Sequence, residues 1–237
     1  MSEALSRPQP SSGILARNFD PVIQPWEVPG AGLPALRGNQ LAPDRLRELF
    51  QRPRVWTPEV PDESRRPLPG REKPVPAAVL VPLVVRAHGL HVLFTQRTAH
   101  LHDHAGQICF PGGRVDPGDH TRVDTALRET EEEIGISRTY VEVLGTLPDY
   151  VTASGYQVTP VIGLTLPGFQ IQHDPFEVAE VFEVPLEFLM DPKNHRLHTA
   201  ALRDGVVRRY YSMPFGDRFI WGATAGMLRN LYHMLRA

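Results

Sequence analysis

The apolar positions of this chain follow a strand-like pattern through most of its C-terminal two-thirds. Short runs rich in valine, leucine and isoleucine, separated by glycine, proline and polar residues, predict β-strands. Seven segments fit this pattern: Ala77–Val85, His91–Thr95, Tyr140–Leu147, Val158–Leu166, Val178–Val184, Val207–Ser212 and Arg218–Trp221. A predicted loop, Pro148–Gly155, joins the third segment to the fourth.

Apolar residues spaced three or four positions apart predict helices in two longer segments, Val123–Ile134 and Ala223–Leu235. The first carries an acidic face, and the second carries leucines on one stripe. A shorter helix is predicted at Leu186–Met190. Strands mixed with two substantial helices indicate an α+β domain in which helices flank a mixed sheet.

The first 76 residues differ from the rest in composition, because they hold 14 of the 24 prolines. Such a segment is not expected to build regular sheet. It contains one predicted short helix, Leu41–Phe50, flanked by Trp26 and Trp56. These aromatic side chains predict that the segment docks, either on its own domain or on a partner subunit. We therefore divide the chain into a proline-rich N-terminal arm, residues 1–74, and a domain, residues 75–237.

Length and composition narrow the class of protein. The 237 residues, 41% of them apolar, suffice for one core, and no run approaches the roughly 18–20 apolar residues that span a bilayer. A net charge of −2 offers no broad basic surface for nucleic acid. The N-terminus lacks the pattern of a secretory signal, and the lone Cys109 fits a reducing compartment and a buried structural thiol. We expect a cytoplasmic protein without a membrane or nucleic-acid partner. A homodimer stays open.

The candidate chemistry lies on the acidic helix. Glu129, Glu132 and Glu133 stand at i, i+3 and i+4, so their carboxylates share one face and repel each other unless a cation sits among them. Mg²⁺ prefers a few carboxylates together with substrate phosphates. The glycine pair Gly112 and Gly113 precedes the helix and allows close approach of a phosphate. The pattern indicates metal-assisted chemistry on a phosphate anhydride. The alternative is a solvated acidic face.

The order of these residues resembles the Nudix box, the strand–loop–helix–loop element of the Nudix hydrolases. The box runs from the glycine pair through Arg128-Glu129 to Glu132-Glu133-Ile134-Gly135. Two departures concern the loop: Asp119 stands where the family has glutamate, and eight residues, not seven, separate it from Arg128. In the helix, Thr130 replaces an aliphatic residue.

The resemblance implies a Nudix αβα sandwich with a mixed sheet, preceded here by the arm. It also implies Mg²⁺ or Mn²⁺ as the cofactor, with Glu129 and Glu133 as direct ligands. Glu132 is the third carboxylate, which ligates a further metal or deprotonates water, and Arg128 orients it. Gly113 supplies backbone to the metal or the phosphate. The general base is not fixed by the box, so Asp149 and Glu177 stay open.

A second motif points to a branch of the family. Leu93–Arg97 and Gly106–Gly113 resemble the motif of the coenzyme A pyrophosphatases, with matching spacing through Gly113. The substrate contacts expected from this likeness are Arg97, His102, Gly112 and Gly113. For coenzyme A or acyl-CoA the products would be 3′,5′-ADP and 4′-phosphopantetheine or its acyl form. The likeness covers about residue 75 to the C-terminus.

Three alternatives remain at this stage. The substrate class is a small nucleotide, but a different dinucleotide, a nucleotide-sugar or a damaged nucleotide would fit the box equally well. A non-catalytic nucleotide-binding domain is disfavoured, because all three glutamates of the helix are present. His102 stands where the coenzyme A motif has arginine, so it either contacts a substrate phosphate or is a loop residue without a ligand. His100, His102 and His104 lack further residues at transition-metal spacing.

Overall fold

The computed structural model describes residues 19–30, 32–52, 55–62, 73–99, 106–201 and 207–237. Its strands are β1 (Trp26–Glu27), β2 (Val75–Arg86), β3 (Gly89–Arg97), β4 (Ile108–Cys109), β5 (Gly112–Arg114), β6 (Val141–Thr146), β7 (Tyr150–Val151), β8 (Tyr156–Thr165), β9 (Val178–Pro185), β10 (Arg196–Ala201), β11 (Val207–Phe215) and β12 (Arg218–Trp221). Its α-helices are α1 (Pro43–Gln51), α2 (Arg122–Ile134), α3 (Leu186–Leu189) and α4 (Gly222–Arg236). None of these helices is long and apolar enough to span a bilayer.

The larger sheet is mixed, as the sequence predicts. Strand β2 lies at its centre and pairs with β8 in parallel, over a register that runs from Val75 opposite Tyr156 to Val84 opposite Thr165. The other pairings are antiparallel: β2 with β3 and β5, β3 with β4 and β9, and β8 with β6 and β7. A smaller antiparallel sheet has the order β1-β10-β11-β12. The start of β2 and the end of β3 lie at the same end of the sheet, where β5 pairs with β2 and β4 pairs with β3. Helix α2 packs against β2 and β5.

Side chains alternate across β2, so the two faces of the larger sheet pack against different helices. On one face Ala78 and Leu80 pack with Ala126 of α2. On the other face Val81 and Leu83 belong to the main core, which also contains most of the buried apolar residues of α4. Helices therefore cover both faces.

The described part of the arm packs on its own domain. Leu36, Leu41, Leu46 and Leu49 are all buried in the main core. One expectation was wrong: the proline-rich segment does contribute a short strand, β1, which pairs with β10 because edge pairing needs only a few backbone groups. Trp26 of that strand is half-exposed and lies beside Arg196, whereas Trp56 packs partly against the core. The division at residue 74 stays a prediction.

A charged network ties the arm to α4. The carboxylate of Glu59 accepts a hydrogen bond from Arg229 Nε at 3.0 Å and another from the Tyr211 hydroxyl, and the ring of His233 contacts it. Burial alone raises the pKa of this carboxyl, but its three partners outweigh that effect and hold the pKa at about 2. Arg229 is 2% exposed, so its charge depends on Glu59 for compensation.

The network continues to His195, which is fully buried. Its Nε2 lies 2.7 Å from the carbonyl oxygen of Leu189 and its Nδ1 lies 3.1 Å from Arg229 Nη1. A carbonyl oxygen can only accept and a guanidinium can only donate, so the ring carries its proton on Nε2 and is neutral. Burial lowers the pKa of His195 to about 4.

Acid should therefore destabilise the fold through His195. Between pH 6.5 and about 4 the unfolded chain binds a proton on this ring and the folded chain does not, so stability falls as the pH falls, by up to about 3 kcal/mol. Urea titrations across this range should show a flatter pH dependence for His195→Gln, which starts less stable. His120→Gln, which changes an exposed histidine, is the matched control. Equal slopes for the wild type and His195→Gln would contradict the account.

Candidate active site

The register of α2 is fixed at both ends. At its start Thr121 Oγ1 accepts from the Asp124 backbone N–H at 3.1 Å, and Asp124 Oδ2 accepts from the Thr121 N–H at 2.9 Å. This reciprocal pair is a capping box, with aspartate in place of the usual glutamate. At its end Gly135 takes the left-handed conformation, with φ of 73°, and closes the last turn on Glu131. The predicted helix is confirmed, one residue longer at its start.

The loop before α2 is held by Arg128. Its Nε and Nη2 each donate to one oxygen of Asp119 at 3.0 Å, and Nη2 also reaches the carbonyl oxygen of Arg114 at 3.2 Å. The Arg128 guanidinium holds the pKa of Asp119 well below its usual range. Asp119 also accepts from Thr125 Oγ1 at 2.9 Å. The longer loop thus lets the shorter aspartate bind the arginine.

Arg128 also reaches two glutamates of the acidic face. Its Nη1 donates to Glu129 Oε1 and to Glu132 Oε2, each at 2.9 Å. The Glu132 side chain is 59% exposed, whereas that of Glu129 is 19% exposed. The expected contact between Arg128 and Glu132 is present, although most of the donors of Arg128 serve Asp119 and Glu129. Arg128 is therefore a positioning residue in this geometry.

Gly113 is required by Glu129. A Cβ atom at Gly113 would lie 2.4 Å from the carboxyl carbon and from Oε1 of Glu129. Such a distance is far inside van der Waals contact, so the helix carboxylate packs directly against the Cα of this glycine. Close approach of a side chain, more than an unusual φ angle, explains the residue here.

Gly112 binds the Glu133 carboxylate through its backbone. Its N–H donates to Glu133 Oε2 at 3.1 Å, and a Cβ atom at this position would meet the carbonyl oxygen of Ala78 at 2.4 Å. Glu133 is 6% exposed, and burial raises its pKa to about 8, against the opposing effects of the Gly112 hydrogen bond and of Arg97. Burial also raises the pKa of Glu129. Two poorly solvated carboxylates thus face the glycine pair.

Glu177 adds a third negative charge near this pair. Its charge raises the pKa values of both Glu129 and Glu133. Two backbone hydrogen bonds hold the segment 174–177 in place. The Thr98 N–H donates to the Glu177 carbonyl oxygen at 3.0 Å, and the Asp174 N–H donates to the Glu133 carbonyl oxygen at 2.9 Å. Sequence spacing carries no signal for this proximity, which arises from the pairing of β9 with β3.

The other open carboxylate, Asp149, is engaged elsewhere. It accepts from Gln157 Nε2 and from Thr159 Oγ1, each at 2.6 Å, and both donors belong to β8. Of the two loop residues that the sequence left open, Glu177 is the one whose charge acts on the buried glutamates.

Arg97 ends β3 on the side of these carboxylates. Its positive charge lowers the pKa values of Glu133 and Cys109, and its Nε is buried without a hydrogen-bond partner in the described part of the chain. A buried donor left unpaired is costly, and an anionic ligand would satisfy it. Cys109 is only partly buried, so the predicted burial is incomplete, but desolvation raises the pKa of its thiol to about 11 and the thiol is protonated at neutral pH. His100, His102 and His104 lie outside the described residues.

Comparison with known proteins decides the family. The family model of the NUDIX domain matches residues 74–204. The chain belongs to the Nudix family. Among curated relatives, the uncharacterized Nudix hydrolase NudL of Yersinia pestis (strain Pestoides F) is 43% identical over 156 residues, which cover 65% of this chain and 77% of that protein. NudL of Yersinia pseudotuberculosis (serotype O:1b, strain IP 31758) gives the same values.

Solved Nudix structures resemble part of the chain. An Ap4A hydrolase from C. elegans, in a binary complex, is 25% identical, covers 48% of this chain and 81% of its own, and gives a TM-score of 0.40. The NUDIX domain of Shewanella oneidensis NrtR, in complex with ADP ribose, is 25% identical, covers 52% and 79%, and gives a TM-score of 0.39. Nudix membership and the mixed sheet between helices confirm the predicted α+β Nudix sandwich.

The residues present fit the divalent cation that the Nudix family generally uses. The donors are carboxylate oxygens, and the burial of Glu129 and Glu133 makes their ionised forms costly unless a cation is bound. The described residues contain no group of three or more His, Cys, Asp or Glu side chains arranged to hold a metal ion. Mg²⁺ often binds through few protein carboxylates together with substrate phosphates. The roles assigned to Glu129, Glu132 and Glu133 stay predictions.

Removing the buried charge should stabilise the metal-free protein. Glutamine in Glu133→Gln keeps the shape and the acceptor for Gly112, but it abolishes the burial cost of the charge and the repulsion from Glu129. Thermal melts in EDTA should show the variant equally or more stable, with a difference that grows as the pH rises above 4.5, where the unfolded chain ionises first.

Glu131→Gln on the same helix is the matched control for this melt. Its carboxylate pairs with Arg138 at 2.9 Å, so the substitution should leave stability unchanged or lower. A melting temperature of Glu133→Gln below that of the wild type at pH 8 would count against a costly buried charge.

Proposed function

We propose that this Nudix protein is a metal-dependent hydrolase that splits the diphosphate of coenzyme A or acyl-CoA. The products would be 3′,5′-ADP and 4′-phosphopantetheine or its acyl derivative. The observation that carries the hydrolytic class is the placement of the partly buried Glu129 and the buried Glu133 against Gly112 and Gly113. The coenzyme A assignment is supported by the motif from Leu93 to Gly113, which begins within β3 and ends at that glycine pair.

In this proposal Glu129 and Glu133 hold the cation, Mg²⁺ or Mn²⁺. Bound there, it would neutralise charge on the departing phosphate and lower the pKa of an attacking water. Arg128 keeps the Glu129 carboxylate in position and locks the preceding loop through Asp119. Gly113 gives the carboxylate its place, so alanine at this position would displace Glu129 from the site.

Arg97 is proposed as a substrate phosphate ligand. Its buried Nε has no hydrogen-bond partner in the described residues, and its charge acts on Glu133. A phosphate bound there would accept a hydrogen bond from Nε and balance the charge of Arg97. His102 is proposed to contact a phosphate as well, on sequence grounds alone. Gly112 and Gly113 are proposed to contact the substrate through their backbone, on sequence grounds.

Proton abstraction from the water has two candidate bases. Glu132 is the box residue of choice, and its exposed carboxylate already accepts a hydrogen bond from Arg128. Glu177 is favoured by its charge coupling to both buried glutamates. A base removed by substitution lowers kcat with little change in KM, whereas a lost substrate contact raises KM.

A hydrolysis assay over coenzyme A, acyl-CoAs, NADH, ADP-ribose and dGTP with Mg²⁺ or Mn²⁺ tests the proposal. Coenzyme A or an acyl-CoA should give the highest kcat/KM, and mass spectrometry should identify 3′,5′-ADP. Glu133→Gln should lose most turnover and Glu131→Gln should keep it. Preference for another nucleotide would overturn the coenzyme A assignment. Binding without hydrolysis of any of them would favour the non-catalytic alternative. In the same assay, the larger fall in kcat between Glu132→Gln and Glu177→Gln identifies the base.

A further inference from the structure

An open crevice of about 370 Å³ lies where the end of β3 and β4 meets β12 of the smaller sheet. The arm contributes to its lining, and the residues that matter for its chemistry are Val22, Gln96, Ile108, Arg218, Phe219 and Trp221. We call this space the β12 crevice. Its volume is within the range of small-molecule sites, which combine apolar walls with a few fixed polar groups.

The charged residues of the crevice lining are Asp217 and Arg218, and Arg218 Nε lies 3.4 Å from Asp217 Oδ1. Arg218 donates through Nη1 and Nη2 to the two oxygens of Glu180, each at 2.5 Å, and through Nη1 to Gln96 Oε1 at 3.2 Å. A guanidinium committed to a two-point ion pair has little to offer a phosphate. The remaining walls include the rings of Phe219 and Trp221 and the side chain of Ile108. An uncharged, planar ligand group suits this lining better than an anion.

The crevice adjoins the catalytic end of the sheet. Gln96 lines it, and the next residue, Arg97, ends β3 after a break in the register of its pairing with β9. The positive charge of Arg97 acts on Glu133. Gly106 and Ile108 also line it, and four residues after Ile108 the chain reaches Gly112, a backbone span of at most about 14 Å. A ligand that lies across the end of β3 would therefore place one part in the crevice and another at the glycine pair.

We propose that the β12 crevice binds the nucleobase of the nucleotide substrate. The inference rests on the proposed function, because it assumes that the diphosphate lies at Gly112 and Gly113. The rings of Phe219 and Trp221 would supply apolar contact or stacking. The Gln96 amide nitrogen contacts the Gly106 carbonyl oxygen at 3.4 Å, and its second N–H would supply a polar contact at the edge of the base. The arm takes part in this subsite through Pro21 and Val22.

Binding of adenosine 5′-monophosphate in the presence of Mg²⁺, measured by calorimetry, tests this assignment. Val22 is 57% exposed, so Val22→Trp should fold normally while its indole fills the mouth, and the Kd for the nucleotide should rise at least fivefold. Val55→Trp changes another exposed valine, outside the crevice lining, and should bind like the wild type. Phe219→Leu removes a ring and keeps apolar bulk, so we expect a loss of about fivefold to a hundredfold.

Ribose 5-phosphate and 4′-phosphopantetheine are the ligand controls. Ribose 5-phosphate lacks the base and should bind more weakly than the nucleotide, with the same Kd in all four proteins. The assignment is overturned if the nucleotide binds no better than ribose 5-phosphate. Unchanged or tighter nucleotide binding in both Val22→Trp and Phe219→Leu also overturns it. So does a loss confined to phosphopantetheine, since the crevice would then hold the other half of the substrate.

This experiment separates the two proposals, because it needs no turnover. Nucleotide binding that depends on Val22 and Phe219, in a protein that does not hydrolyse coenzyme A, would refute the proposed substrate. It would still support the β12 crevice as the nucleobase site. Hydrolysis of coenzyme A with an unchanged KM in both variants would support coenzyme A as the substrate and refute the β12 crevice as the nucleobase site.

Discussion

The site depends on two glutamates that are held in a poorly solvated place against a pair of glycines. Burial makes the ionised forms of Glu129 and Glu133 unfavourable, and neighbouring negative charge adds to the cost. The fold nevertheless keeps them there, because Gly113 leaves room for one carboxylate and the Gly112 N–H binds the other. In the proposed function a bound cation would offset this cost, and the surrounding structure holds this arrangement in place.

Three supports maintain it. The capping box at Thr121 and the left-handed Gly135 fix where α2 begins and ends. Arg128 joins the loop before α2 to the helix through Asp119, which links the position of that loop to the position of the acidic face. The pairing of β5 with β2 fixes Gly112 and Gly113 at the centre of the sheet. On the far face the arm and α4 complete the core and are linked by the pair of Glu59 and the buried Arg229.

Sequence periodicity predicted the long elements well, because their patterns are local. Helix α2 was predicted from Val123 and begins at Arg122, and β2 extends the predicted strand by two residues at its start and one at its end. Strands β1, β4, β5, β7 and β10 were not predicted, since most are two or three residues long and form only where a partner strand offers hydrogen bonds. The contribution of Glu177 was left open for the same reason: tertiary pairing, and no local pattern, brings it to the acidic helix.

Binding of Mn²⁺ to the substrate-free protein, followed by electron paramagnetic resonance, tests the central claim most directly. If Glu129 and Glu133 form the cation site, Glu133→Gln should weaken Mn²⁺ binding at least tenfold, whereas Glu131→Gln on the same helix should bind Mn²⁺ as the wild type does. Gly113→Ala, which displaces the Glu129 carboxylate without removing a charge, should weaken binding as well. Wild-type affinity in both Glu133→Gln and Gly113→Ala would contradict the account.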